Sequence, residues 1–412
     1  MTQSSATAKA TPWYFAPTVV LVAGCLVAIV NFGIRSTFGQ FTAPISEAHG
    51  WGREVFSMSM ALQNLLWGIA TPIAGAMADR FGSARVLMTG AVLYAIGIVL
   101  MNFSDTPVML HFSGGILVGT GIAMSSFGIV MAALGRIVPP EKRSWAFGLA
   151  TASGSLGQFI FSPLVGALIP AYGWPATLNV LAASSLLIIL FACPLLVQNS
   201  SGSKQAAGET SLSMSEAIGK AFGHSSYLLL VAGFFVCGFQ LAFITVHLPP
   251  YLAEHGISKE FAGLAMGAIG LFNVAGSYLS GIIGGKREKR VPLSLIYILR
   301  AAAIAGFVLL PITPVTTVIF TATMGFLWLS TVPLTMGLVT VMFGTRYMAT
   351  LYGFVFLSHQ IGSFLGVWLG GRLYDIYGNY DIVWWMSVAL GIFAALVNLP
   401  IREKRAESFV TA

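Results

Sequence analysis

Apolar residues run along this chain in blocks of about twenty, each closed by a short polar or glycine- and proline-bearing turn. A helix needs roughly 20 consecutive apolar residues to cross a hydrocarbon core. Hydropathy and breakers predict twelve such spans, near 16–41, 55–78, 86–103, 108–134, 145–171, 175–197, 226–252, 261–284, 291–310, 315–342, 349–371 and 382–401. Only one interruption is sizeable. The stretch 198–225 opens as QNSSGSKQAAGETS, a flexible polar run, and continues as SMSEAIGKAF, a short amphipathic helix suited to a membrane surface. It divides the chain into an N-terminal six-helix bundle (1–197), a linker (198–225) and a C-terminal six-helix bundle (226–412). The expected fold is an all-α membrane protein of two pseudo-symmetric bundles.

An internal repeat supports that division. At an offset of 205 positions, Phe147-Gly148 meets Tyr352-Gly353, Ser153 meets Ser358, Gly157 meets Gly362 and Gly166 meets Gly371. Tyr172-Gly173 meets Tyr377-Gly378, Gly33 meets Gly238 and Phe38 meets Phe243. Matches in the first and fifth spans of both halves at one offset imply two related bundles. A substrate site then lies at the midplane between them, reached alternately from either side by rocking.

Composition agrees: 56% of residues are hydrophobic and 8% charged, with mean hydropathy +0.83, against about 25% charged in soluble domains. The net charge of +7 is a topology signal and does not point to nucleic acid. The presumed inner loops are DRFGSAR (79–85), GRIVPPEKR (135–143), 198–225, GKREKR (285–290) and GTRYM (344–348); with the termini they hold sixteen of 21 Lys and Arg. The outer loops hold three, Arg53, Lys259 and Arg372. Basic residues stay inside, so both termini are expected in the cytoplasm. The N-terminus shows no cleavage-type signal. Cys25, Cys193 and Cys237 lie in apolar segments without metal-ligand spacing or a disulfide framework. No P-loop, zinc motif or catalytic triad has a suitable context, so no enzyme, cofactor or metal is expected.

The loop after the second span reads Gly75-Ala-Met-Ala-Asp79-Arg80-Phe81-Gly82-Ser-Ala-Arg85. It resembles the signature of the major facilitator superfamily, G-x-x-x-D-R-x-G-x-[RK]-[RK], in loosened form. Its counterpart, Gly281 to Arg290, has lost the Asp. The resemblance covers essentially the whole chain and implies a gating role for Asp79, Arg80 and Arg85. Asp79 is placed to complement a helix N-terminus on a neighbour, and the arginines to pair across the same surface; a plain topogenic turn is the simpler alternative.

Within that superfamily, NFGIRSTFGQFTAPI, GTGIAMSSFGIVMAALGRIVPPEKRSWAFGLATASGSLG and LYGFVFLSHQIGSFLGVWLGG are similar to stretches of monocarboxylate transporters and the oxalate/formate exchanger group. In those groups an arginine on the eighth span clamps the substrate carboxylate. Here LFNVAGSYLSG puts Ser277 at that position, with Asn273 one turn earlier where monocarboxylate carriers have an aspartate. Their detailed mechanism therefore does not transfer.

The substrate-binding candidates follow. Arg35 is a cation inside the first span, a position that costs at least about 2.5–3.5 kcal/mol; it either anchors an anion or snorkels to the headgroups. Its repeat mate Gln240 is expected to donate to substrate or to bond between helices. His359 is mid-span, as second anion contact, proton carrier or packed neutral ring. His247 precedes Pro249-Pro250, which are expected to break the seventh helix. Asn273 and Trp328 are expected to line the cavity. Gln63, Asn64 and Gln158 read as interhelical hydrogen-bonding residues, and Arg300 as snorkelling or as a span-boundary error.

None of the 14 acidic residues lies within a span. Cation and sugar carriers coupled to protons generally need one, so the composition favours a negative substrate. The reading is a secondary transporter of a small monocarboxylate-like anion in a bacterial inner membrane, coupled to protons or to exchange. It is expected to act as a monomer whose other partner is the lipid bilayer. A polyspecific exporter of drug-like or other organic solutes is the alternative, and a non-transporting receptor finds no support.

Overall fold

The computed structural model describes residues 17–51, 53–196 and 212–409. The polar N-terminus and the polar first part of the linker, 198–211, lie outside them. The first half comprises α1 (Pro17–Thr37), α2 (Thr42–His49), α3 (Arg53–Phe81), α4 (Ser83–Met101) and α5 (Pro107–Ile137). The run Pro140–Ala192 turns at Gly173, whose φ of +81° only glycine adopts freely, giving α6 (140–172) and α7 (174–192). The second half comprises α8 (Met214–Phe222), α9 (Ser225–Glu254), α10 (Lys259–Lys286), α11 (Arg290–Leu309), α12 (Pro314–Phe343), α13 (Met348–Tyr377) and α14 (Asp381–Asn398).

Ten stretches are long and apolar enough to cross a membrane. One of these, Pro140–Leu196, contains both α6 and α7; α3, whose apolar run is diluted by Gln63, Asn64 and Thr71, completes twelve among the described residues. The amphipathic segment forms α8, started by a capping box between Ser213 and Glu216, with Ala217 and Ala221 on its buried side.

Without a hydrophobic force between helices in lipid, close backbone approach supplies the packing. A Cβ on Gly157 would meet the Ile29 carbonyl oxygen where α1 crosses α6; one on Gly362 would meet that of Phe235 where α9 crosses α13. The two crossings correspond under the 205-residue repeat to within one residue, Phe234 being the mate of Ile29. So do the interruptions of α5 at Ser125 and of α12 over Trp328–Ser330.

The halves meet through α3 against α13 and α6 against α10. One face of α10 carries Gly263, Gly267, Gly270, Asn273, Ser277, Gly281 and Gly284, at helical spacing. Toward the basic loops this stripe is pressed on α6: Gly281 abuts Gly148, and Gly284 abuts Ser144. Toward the opposite end Gly263 and Gly267 have nothing within 4 Å. On the other contact Gly75 abuts Ala349, and Gly353 abuts Pro72. The halves are thus closed at the basic-loop end and parted at the other.

Candidate substrate site

Arg35 lies two residues beyond Gly33, where a Cβ would meet the Gly157 carbonyl of α6, and its guanidinium turns toward α3. Nη2 donates to Asn64 Oδ1 at 2.7 Å. The Asn64 amide is oriented for this by its own Nδ2, which donates to the Met60 carbonyl at 3.0 Å. The guanidinium lies 4.5 Å from the centroid of Trp67 and 5.8 Å from that of Phe32, distances at which a ring quadrupole attracts a cation. Arg35 Nε is buried with no hydrogen-bond partner, and so is the hydroxyl of nearby Tyr94. Among the described residues the ion pairs are Arg136–Asp79, Lys289–Glu403 and Arg290–Glu288, so no carboxylate neutralises Arg35.

From Arg35 a continuous contact runs into the second half. Trp67 packs on Phe356 with centroids 4.8 Å apart, and Phe356 stacks on His359 at 5.4 Å with an 8° interplanar angle. Gln360 Nε2 donates to the Asn64 carbonyl at 3.1 Å. That fixes the amide, so Gln360 Oε1 accepts from His359 Nδ1 at 3.0 Å. A neutral His359 then carries its proton on Nδ1 and leaves Nε2 as an acceptor. Arg35 and His359, both singled out in sequence, therefore share one network between the halves.

Other candidates lie elsewhere. Gln240 is wholly buried and donates Nε2 to the Ser387 carbonyl of α14 at 2.9 Å, away from Arg35. His247 packs between α9 and α13, with Nε2 3.0 Å from the Val367 carbonyl and its ring against Phe243 and Tyr380. The expected break at Pro249-Pro250 does not occur: α9 runs through both prolines to Glu254.

Asn273 is a junction. Its Nδ2 donates to Ser155 Oγ of α6 at 2.7 Å, while Oδ1 accepts from Leu329 N at 2.9 Å and from Ser277 Oγ at 3.0 Å. Leu329 N belongs to the α12 interruption, where Trp328 is half-buried. Arg300 serves the same interruption. Its Nη2 donates to the carbonyls of Leu327 and Trp328, Nε donates to that of Leu327 at 3.2 Å, and Nη1 reaches Cys237 Sγ at 3.4 Å. Arg300 is fully buried. This corrects the expectation of snorkelling: a helix interruption leaves carbonyls that the guanidinium satisfies.

At the basic-loop end Asp79 pairs with Arg136 of α5 and accepts from Thr350 N at 2.8 Å and Thr350 Oγ1 at 2.7 Å. Thr350 is in the first turn of α13, so the carboxylate sits on a helix N-terminus and joins the halves. Arg80 and Arg85, expected to pair here, are exposed; Arg80 stacks on Phe81, and neither makes an ion pair among the described residues. Arg136, reaching from α5 into the buried side of the loop, takes their place.

The profile of the Major Facilitator Superfamily matches residues 24–367. The chain belongs to this superfamily. Monocarboxylate transporter 13 of Rattus norvegicus is 27% identical over 397 residues, covering 93% of this chain and 88% of the relative. The MFS-type transporter YcxA of Bacillus subtilis (strain 168) is 25% identical over 396 residues, covering 94% and 95%. Among solved structures, the superfamily transporter FucP in the outward conformation matches with a TM-score of 0.70 at 14% identity, covering 93% of this chain and 98% of that one. The proton:xylose symporter XylE matches at 0.71 and 14%, covering 96% and 98%. The protein is thus a multi-pass membrane transporter for a small solute, and not an enzyme.

On this superfamily frame the sequence reading missed Asn64 as an Arg35 partner, Trp67 and Phe356 as the aromatic bridge, Gln360 as the link across the halves, and Arg136 as the mate of Asp79. Asn64 and Trp67 carried a signal, since they lie three residues apart on one face of the same helix. Gln63 does bond between helices, Nε2 donating to the Gly114 carbonyl at 3.0 Å. A cavity of about 670 Å³ between α10, α11 and α12 is lined by Phe272, Leu299, Phe307 and other apolar side chains and offers no charged group. No cluster of three His, Cys, Asp or Glu suited to a metal occurs among the described residues.

Proposed function

We propose that this chain is a secondary carrier of small monocarboxylate-like anions. The two six-helix halves, 1–197 and 226–412, rock about the Arg35–His359 network, with 198–225 as the cytoplasmic linker and both termini inside a bacterial inner membrane. The observation that carries the reading is Arg35: a guanidinium at membrane depth, held by one neutral oxygen and two ring faces, with a buried Nε unpaired and no carboxylate beside it. A guanidinium fork suits a carboxylate, and an arriving anion would supply the missing charge. The names of the monocarboxylate transporter relatives support the same substrate class. The basic loops being inside, the parted end faces outward, and this is the state that receives substrate from the outer side. Asn273, joined to Ser155 across the halves, and Trp328 beside it would sense closure; Gln240 and His247 would brace α9 against α14 and α13.

The test is uptake of labelled lactate, pyruvate, formate and oxalate into proteoliposomes, with and without a pH gradient. The Arg35→Ala variant should lose uptake while keeping its thermal stability in detergent. Uptake by that variant with unchanged affinity would rule out the clamp, and no uptake of any of the four by the wild type would rule out the substrate class.

A further inference from the structure

The second half holds another buried cation without a carboxylate, and beside it an acid of a different kind. Arg300 has no acidic partner among the described residues. Its Nη1 is 3.4 Å from the sulfur of Cys237 on α9, and Thr331 Oγ1 of α12 is 3.4 Å from the same sulfur. Cys237 is fully buried. The titratable groups facing it come from two helices: Arg300 and Tyr297 from α11, His359 and Tyr352 from α13. The hydroxyls of Tyr297 and Tyr352 are buried and have no hydrogen-bond partner. His359 is the member that is only partly buried, and it stacks on Phe356 at the end of the network that begins at Arg35.

We propose that Cys237 is the proton-binding residue of this carrier, with Arg300 as its counter-ion and His359 as the proton's route from the cavity. This rests on the anion-carrier reading and settles its coupling as symport. The apolar stretches of the spans hold no acid, and the buried Asp79 at the end of α3 is already taken up by Arg136 and Thr350, so a symported proton needs another seat, and the Cys237 thiol held against a guanidinium offers one.

The step balances simply. A proton from cavity water binds His359 Nε2, passes to the Cys237 thiolate and forms the S–H bond, and His359 returns to neutral. Arg300 thereby loses its counter-ion while still gripping the Leu327 and Trp328 carbonyls, so the charge change is delivered at the interruption of α12. The empty form carries Arg35, Arg300 and a thiolate, for a net of one positive charge. The loaded form carries both arginines, a neutral thiol and a monoanion, again for a net of one. Empty and loaded carriers thus reorient with the same embedded charge, and one proton travels with each monoanion without net current.

The experiment compares Cys237→Ser with wild type in proteoliposomes, both in a Cys25→Ser, Cys193→Ser background, using whichever of labelled lactate, pyruvate or formate the wild type takes up. Exchange against internal substrate needs no proton release, whereas accumulation driven by an acid exterior does. Cys237→Ser should retain exchange within about twofold and lose gradient-driven accumulation at least about tenfold. Retained accumulation would overturn the proposal. Should the variant lose both activities, infrared difference spectra of the wild-type Cys237 protein decide: an S–H band that grows on acidification between about pH 9 and about pH 5 supports it, and an invariant band overturns it. The spectra need no substrate, so failure of this proposal is distinguishable from a wild type that transports no anion.

Discussion

Arg35 shows how a single side chain can be costly and useful at once. Its charge is expensive at membrane depth, and the structure offsets that cost with a neutral amide and two aromatic faces rather than with an acid. The choice of a neutral partner is itself testable. In Asn64→Asp the side-chain oxygen that now accepts from Nη2 at 2.7 Å becomes anionic. The guanidinium would then hold an internal carboxylate in a charge-assisted bond, and a substrate carboxylate would have to displace it. We expect the apparent affinity for the transported anion to fall at least about tenfold, about 1.4 kcal/mol, with thermal stability unchanged or higher. Uptake titrations alongside melting curves check both; undiminished affinity would mean that substrate does not seat on Arg35. The sequence revealed this residue because a lone charge stands out in an apolar run. It hid the partner, because one asparagine among several mid-span amides looks like ordinary interhelical glue.

At the scale of helices, the repeat was the most legible feature. The offset that aligned Gly157 with Gly362 in sequence also aligns the crossings they permit, each glycine lying on a carbonyl of the partner helix. Added bulk there must push backbone, at a cost of typically 1–3 kcal/mol. Gly157→Ala and Gly362→Ala should each lower the melting temperature of the detergent-solubilised protein. The double variant should lose the sum, since the sites lie in different halves and share no partner. Gly263→Ala should be neutral or stabilising by up to about 1 kcal/mol, because nothing lies within 4 Å of the new methyl. A loss at Gly263 equal to that at Gly157 would refute the reading of α10 as parted from α6 at that end. Less legible were the features that depend on where a helix is interrupted. Hydropathy cannot see that α12 breaks over Trp328–Ser330, so it could not foresee that Arg300, Asn273 and Ser280 would satisfy the freed groups. Nor does a pair of prolines announce that its helix will continue through them, as α9 does.

The whole molecule is a balance between two closed ends, and in this structure Asp79 weights it. Its carboxylate binds Arg136 in its own half and the first turn of α13 in the other, with no side-chain exposure. Opening the basic-loop end must break the bonds to Thr350, while the opposite end has no comparable ionic tie among the described residues. Asp79→Asn keeps the shape and removes the charge. It leaves Arg136 facing a neutral group and the α13 N-terminus without its anion, a loss of roughly 2 kcal/mol, or about 30-fold in the equilibrium between end states. The variant should therefore populate the form opened at the basic-loop end. Spin labels at Arg85→Cys and Arg287→Cys, both exposed at that end, read the change as a longer distance. Cys25 and Cys193 are replaced by Ser for the purpose, and the wholly buried Cys237 is left in place. Substrate offered from the parted side should bind more weakly, by at most that factor, because its apparent affinity scales with the fraction of carriers open to it. A distance distribution unchanged by Asp79→Asn would mean that glycine-mediated packing of α3 on α13 and of α6 on α10 closes this end without the latch.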